Sequence, residues 1–162
     1  MLCIVIRYFE SLLLDFLNYY TYIIQYIKLI NNIIINILLI IQFIIMKSID
    51  RYIAPLGINI LFTVGNNAQE NFNIIENSNP NDIWFHIDNY ASCHVIASMP
   101  PDIDFDKKQL MYIIKQGAII CKQFSKYKSD KKVSIVYTCV KNVTMTDVVG
   151  TVNIQSSKTI KI

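Results

Sequence analysis

The chain is 162 residues long, has a formal net charge of +3 and contains four cysteines. This length favours one domain with a core of useful size. The cysteines have no CxxC spacing, which argues against a disulfide-stapled secreted domain and favours a reducing, cytosolic compartment. A charge of +3 is low for the strongly basic class of nucleic-acid-binding proteins, and the acidic run at residues 102–106 dilutes it further.

Residues 1–45 differ in composition from the rest of the chain. They hold only four charged residues and neither glycine nor proline, and the stretch 29–45 is 17 residues without a charge. That length is near the lower limit for a bilayer span, but the asparagines and the glutamine within it are costly in hydrocarbon. Three interpretations stay open: a membrane anchor at 29–45, an untranslated stretch ahead of a true start at Met46, or a hydrophobic helix packed in an oligomer.

The domain prediction follows from this contrast in composition. Residues 1–45 are a hydrophobic segment, either a membrane anchor or a mis-assigned start, and residues 46–162 are a globular domain. The protein is expected in the cytoplasm if translation starts at Met46. It is expected to be a single-pass membrane-associated protein if residues 1–45 are translated.

The globular part alternates between β-rich runs and turn signals. Turn chemistry at 65–67 ends the first strand, and a short helical turn is expected at 68–71; residues 72–75 fit either that turn or another strand. The strands are predicted at 58–64, 82–87, 94–98 and 133–138, with a closing hairpin formed by 151–154 and 159–162.

One stretch has convincing helical periodicity. It runs from Lys107 to about Lys126, with Asp106 as its N-cap and with lysines near its end that suit the helix dipole. Strands on both sides of a single main helix, at about 107–126, predict a small α+β domain in which that helix packs on a largely antiparallel sheet.

The chain's only tryptophan and both of its histidines lie within eleven positions. Because successive side chains of a strand point to opposite faces, Trp84 and His86 share one face of their strand, and the other face is apolar. His94 opens the next strand. Two interpretations stay open: the rings border a binding site, or Trp84 is ordinary core and the histidines pair locally.

Six short motifs follow one another in the globular part. They read GNNAQEN at 65–71, DIWFH at 82–86, SCHV at 92–95, SK at 125–126, VYT and KNV between 136 and 143, and KT at 158–159. In sequence and order they resemble the NFACT-R domain family, and over residues 58–162 most closely its stand-alone type, coiled-coil domain-containing protein twenty-five. Cys93 departs from the family pattern, which has a small residue there, and the loop at 150–152 is shorter and less basic.

The resemblance implies a non-catalytic RNA-binding module that acts on ribosomal or transfer RNA in translation quality control. It places the glycine–asparagine–glutamine turn motif on Gly65, Asn67, Gln69 and Asn71. Lysines would supply phosphate contacts, and rings would supply stacking surfaces, if the sheet brings them together. The residues predicted to bind nucleic acid are Trp84, His86, His94, Lys126, Lys128, Lys132 and Lys141.

No cofactor, metal site or catalytic residue is predicted. The histidines and cysteines lack metal-ligand spacing, and Cys93 and His94, as neighbours on a strand, point to opposite faces and would not pair for catalysis. The alternative function is a membrane-tethered module, anchored by residues 29–45, whose domain recruits a protein partner.

Overall fold

The structure, a computed structural model, describes the backbone of residues 2–162 and the side chains of residues 17–38 and 46–162. The chain divides into two units, with the boundary between Ile45 and Met46. The first unit is one long helix, α1 (Leu2–Ile45). The second unit, Met46–Ile162, contains the strands and two further helices.

Among the residues whose side chains are described, helix α1 contains one stretch, Leu17–Leu38, that is long and apolar enough to cross a membrane. Its 22 residues extend about 33 Å at 1.5 Å per residue, which is close to the thickness of a hydrocarbon core. Large side chains along it are exposed, among them Tyr22 and Ile33. The predicted anchor at 29–45 overlaps this stretch, although the side chains of its last seven residues lie outside the described ones.

The second unit is built on a six-stranded sheet. Its strands are β1 (Lys47–Ile53), β2 (Ile58–Val64), β3 (Ile83–Ile87), β4 (Val95–Ala97), β5 (Ser134–Cys139) and β8 (Lys158–Lys161). A separate ribbon joins β6 (Val143–Met145) to β7 (Val152–Ile154), and the helices are α2 (Ala68–Glu76) and α3 (Lys107–Gln123). The main sheet has the order β1-β2-β4-β3-β5-β8, and every neighbouring pair is antiparallel. The predicted α+β fold is confirmed.

The two faces of the main sheet carry different cores. On one face, α3 packs against buried residues that include Phe62 and Phe85. On the other face, residues of α2 and of the β6–β7 ribbon pack around Trp84. This division follows from the alternation of side chains along β3. The prediction that Trp84 faces away from the apolar residues of its strand is therefore confirmed.

Helix α3 begins where its capping sequence predicts. The side chain of Asp106 accepts hydrogen bonds from the main-chain N–H groups of Lys108 and Gln109, and the Gln109 side chain accepts from the Asp106 N–H in return. The helix ends at Gln123, slightly earlier than predicted. The hydroxyl of Ser125 donates to the carbonyl of Lys122 at 2.8 Å and so satisfies one of the free carbonyls at the helix end.

The predicted closing hairpin is wrong. Strand β7 pairs with β6, whereas β8 joins the main sheet beside β5. The reason is that their apolar side chains belong to opposite faces: Val152 packs against the core around Trp84, and Ile160 packs against the core under α3. A direct β7–β8 hairpin would leave one of these side chains without its core.

Strand β1 has no counterpart among the predicted elements. Its sequence KSIDRYI looks polar, because β1 is an edge strand whose exposed face carries Asp50 and Tyr52. Its apolar contribution to the core is limited to Ile49 and Ile53. The undecided residues 72–75 belong to α2, which continues the helical turn predicted at 68–71.

Candidate nucleic-acid interface

Antiparallel pairing brings the sequence motifs to one end of the main sheet. Val64, the last residue of β2, pairs with Val95, the first residue of β4. Ile87, the last residue of β3, pairs with Ile135 near the start of β5. The connecting segments 65–67, 88–94 and 124–133 therefore meet at this end of the sheet, which we call the motif end.

Lysines concentrate at the motif end. They lie on the segment between α3 and β5, at the start of β1 and at the end of β8. The acidic run at 102–106 lies at the opposite end, between β4 and α3, so the charge of this unit is polarised along the strands. The lysines of the motif end are Lys47, Lys122, Lys126, Lys128, Lys131, Lys132 and Lys161, against the carboxylates of Glu70, Asp88 and Asp130.

An aromatic pair lies among these lysines. The rings of Tyr90, in the β3–β4 loop, and Tyr127, between Lys126 and Lys128, have centroids 5.0 Å apart. Tyr90 is 58% exposed and Tyr127 is partly exposed. Exposed rings flanked by cations are suited to stack unpaired bases while lysines neutralise phosphates. This pair was not predicted from the sequence, although the Lys-Tyr-Lys alternation at 126–128 indicates an aromatic ring between two cations.

Trp84, His86 and His94 form a ring cluster on the α2 face of the sheet. Trp84 and His86 stack with centroids 5.5 Å apart and an interplanar angle of 9°, and His94 contacts both rings edge-on at 5.1 Å. Trp84 is 1% exposed and His94 is 2% exposed, whereas His86 is partly exposed. Burial therefore prevents direct ligand contact by Trp84 and His94 in this conformation. Of the three predicted stacking rings, His86 alone reaches the surface.

Burial keeps the histidines of the ring cluster neutral near pH 7. Desolvation, followed by the charge of His86, lowers the pKa of His94 to about 3. Desolvation also lowers the pKa of His86, and it outweighs the opposing effects of the Ile87 main chain and of Asp88. A neutral His86 presents an aromatic ring to a ligand rather than a cation.

The glycine–asparagine–glutamine turn caps α2. Asn67 is the N-cap, and its Oδ1 accepts a hydrogen bond from the Glu70 N–H at 2.9 Å. The Glu70 carboxylate accepts in return from the main-chain N–H of Asn66 at 2.9 Å and from the side-chain amides of Asn66 and Asn67 at 2.8 and 2.7 Å. The exposed Gln69 donates to the buried side chain of Asn73, one turn further along α2, at 2.9 Å.

The same turn is tied to the ring cluster through Asn71. Its Oδ1 accepts from the main-chain N–H of His94 at 2.9 Å. Gly65 makes this contact sterically feasible, because a Cβ at that position would clash with the Asn71 side chain. Of the motif-turn residues predicted from sequence, Gly65, Asn67 and Asn71 thus position the site, and Gln69 supports α2.

A polar pocket with a volume of about 310 Å³ lies at the motif end beside the ring cluster. Its walls come from the turn motif, from the end of the β3–β4 loop and from the loop around Gly150, and His86 contributes an aromatic ring to it. The β3–β4 loop is held in place by Ser92, whose hydroxyl oxygen accepts a hydrogen bond from the Ile87 N–H at 3.1 Å. The pocket therefore gathers three of the sequence motifs around one cavity.

The family described as NFACT protein RNA binding domain matches residues 52–156. This range includes the three connecting segments of the motif end, but not the first residues of β1 or any of β8. The chain belongs to this NFACT-R family. The predicted resemblance is confirmed, and the NFACT-R match includes the turn motif, the ring cluster and the pocket.

Individual relatives of this NFACT-R domain agree with the family match. Coiled-coil domain-containing protein 25 of Danio rerio is 33% identical over 106 residues, which is 61% of this chain and 49% of that protein. The chain thus spans about half the length of this relative. The C-terminal part of the fibronectin/fibrinogen-binding protein from Streptococcus suis superposes with a TM-score of 0.58 at 21% identity, over 70% of this chain and 44% of that one. This structure shows a shared fold.

Lys141 is not brought to the other predicted residues of the NFACT-R domain. It follows β5, whose last residue, Cys139, pairs with Ile83, and its main-chain N–H donates to Pro80 at 3.0 Å. Lys141 therefore lies at the opposite end of the sheet from Lys126, Lys128 and Lys132. The prediction that one surface contains all four lysines is wrong for Lys141, because β5 separates it from the others.

Two cysteines of the NFACT-R domain, Cys93 and Cys121, contact each other's main chain. The Cys93 thiol lies 3.7 Å from the carbonyl of Cys121, and the Cys121 thiol lies 3.9 Å from the carbonyl of Cys93. Among the residues that the structure describes, no group of three or more histidine, cysteine or acidic side chains is placed to hold a metal ion.

Proposed function

We propose that this NFACT-R domain binds RNA non-catalytically at the motif end of its sheet. The observation that carries the proposal is the Tyr90–Tyr127 pair, in which Tyr90 is exposed and Tyr127 partly exposed. The pair lies among lysines at one end of a domain whose acidic run is at the other. Lysines would neutralise phosphates, and the two tyrosine rings would stack on unpaired bases. Membership of an RNA-binding family supports the same partner class.

The RNA that fits this surface has an exposed single-stranded segment. Side chains cannot read the deep, narrow major groove of an RNA duplex, whereas loops and ends offer bases that stack on aromatic rings. Tyr90 belongs to a loop rather than to a strand, so its ring can adapt to a splayed base. We infer a loop of ribosomal or transfer RNA, in a translation quality-control setting, which is the role that the family resemblance implies.

A binding titration at two salt concentrations tests the proposed function. The full chain in mild detergent is titrated with a hairpin RNA, a single-stranded RNA and a DNA duplex. We expect the two RNAs with unpaired bases to bind more tightly than the DNA duplex, and their affinity to fall steeply with salt because counterions are released from the phosphates. Equal binding to all three ligands, or affinity that does not change with salt, would contradict the proposal.

A second proposal concerns the location of the protein. The exposed, apolar Leu17–Leu38 stretch of α1 favours attachment to a membrane, with the domain tethered at the surface, where it would also be placed to recruit a protein partner. We expect the protein in the membrane fraction of cells, resistant to high salt and alkaline carbonate and released by detergent. Recovery in the soluble fraction, with an N-terminal sequence that begins at Met46, would refute the tether and support the cytoplasmic alternative.

A further inference from the structure

We infer that the pocket beside His86 is a subsite for one unstacked nucleobase, held by a neutral ring and by amide groups rather than through its phosphate. This inference rests on the proposed RNA binding and names what the pocket contributes to it. The volume of about 310 Å³ is at the small end of the range for ligand pockets, which suits a single base. Three features of the walls support this ligand class.

The first feature is that the pocket does not favour a phosphate. The N-terminus of a helix usually attracts anions, and α2 begins in the wall of this pocket. In α2, however, the carboxylate of Glu70 in the first turn already supplies the negative charge that the helix N-terminus favours. Its carboxylate accepts three hydrogen bonds from Asn66 and Asn67 at the start of α2. The residues that line the pocket include no lysine or arginine that could bind a phosphate. A phosphate at this position would meet a carboxylate of the same sign.

The second feature is the ring of His86. It lines the pocket, and one of its faces is stacked on the buried Trp84, so the pocket meets the remaining surface of the ring. Because burial lowers the pKa of His86, the ring is neutral near pH 7. A flat, neutral ring that is held rigidly by the ring beneath it is a platform for base stacking.

The third feature is an amide donor in the wall. Asn71 is only 7% exposed and lines the pocket. Its Oδ1 accepts from the His94 N–H at 2.9 Å, which fixes the side-chain amide in the wall. The Nδ2 group of this amide is a donor, and a ring nitrogen or carbonyl of a base would accept from it. A ribose-phosphate backbone without its base would not offer this donor such an acceptor.

The test compares two RNAs of the same length, one intact and one with abasic riboses throughout. The full chain is used, together with Ala91→Phe, which blocks the pocket from an exposed position in its wall, and Thr151→Phe, which blocks the opposite wall. Ala54→Phe, in the exposed β1–β2 turn away from the pocket, is the matched control. Circular dichroism verifies that each variant is folded.

We expect both blocking variants to lower the preference for intact over abasic RNA by about tenfold, the usual effect of one base–aromatic stack. Their affinity for the abasic RNA, and both affinities of Ala54→Phe, should match those of the unsubstituted protein. An unchanged preference in the blocking variants would overturn the pocket assignment and leave RNA binding intact. If neither RNA binds the unsubstituted protein, the proposed function itself fails, and the subsite fails with it.

Discussion

Replacing both lysines that flank Tyr127, Lys126→Glu with Lys128→Glu, is expected to weaken RNA binding by at least about tenfold at low salt. The two side chains are exposed beside a tyrosine pair at the motif end, where the phosphates of a stacked strand would pass. A plot of log affinity against log salt has a negative slope, to which each phosphate neutralised on a single strand contributes about −0.7. If each lysine neutralises one phosphate, the loss of each should make the slope less steep by about 0.7. Fluorescence anisotropy of a labelled RNA at several salt concentrations measures both quantities.

The matched control is Lys107→Glu with Lys108→Glu, which changes the net charge equally at the other end of α3. Because these lysines lie with the acidic run, the control is expected to change affinity only slightly, through long-range charge that salt screens. Lys141→Glu is expected to behave like the control, since β5 separates Lys141 from the motif end. Equal losses in the two double variants, with about half that loss in log affinity for the single substitution Lys141→Glu, would mean that net charge, and not this surface, determines binding.

Acidification is expected to unfold the domain through the ring cluster. His94 has a pKa of about 3 in the folded protein and an ordinary value near 6.5 when unfolded, so the unfolded state binds the proton more readily. The contribution of the neutral His94 to the free energy of unfolding is therefore fully present above about pH 6.5. Below that pH the free energy of unfolding falls by about 1.4 kcal/mol per pH unit as the pH drops towards 3. The free energy of unfolding, from urea titrations followed by circular dichroism, should be lower by about 2 kcal/mol at pH 5 than at pH 7.

His94→Phe identifies the source of this pH dependence. Phenylalanine keeps an aromatic ring beside Trp84 and His86 but does not titrate, and the His94 Nδ1 that it removes has no partner among the described residues. Between pH 7 and 5 we expect the stability of this variant to fall much less than that of the unsubstituted protein. The remaining dependence would come from His86, whose pKa is lowered in the same direction. Parallel curves for both proteins would show that other groups determine acid unfolding.

Local patterns determined what sequence analysis predicted correctly. The two-residue alternation of β3 placed Trp84 and Phe85 on opposite faces, and the capping sequence at Asp106 marked the start of α3. Both depend on neighbours within a few positions. The family motifs likewise identified the domain, because each is a short run of residues that can be recognised without knowing what it contacts.

Strand order and pairing between distant residues determined what the sequence did not reveal. Lys126 and Lys141 lie close in sequence, yet β5 carries them to opposite ends of the sheet. Tyr90 and Tyr127 lie far apart in sequence and meet because β3 and β5 are neighbours. The burial of His94 follows from α2 and the ribbon covering that face, which no periodicity around His94 indicates.

The stacking of Trp84 on His86 gives the protein an intrinsic optical reporter. Trp84 is the chain's only tryptophan, so its emission comes from one known position. Its indole is buried and its Nε1 lacks a hydrogen-bond partner among the described residues, which places the emission at the blue end of the tryptophan range. A protonated imidazole in contact with the indole quenches it. The emission intensity of Trp84 would therefore follow the protonation of the His86 ring that is stacked on it, without any attached label.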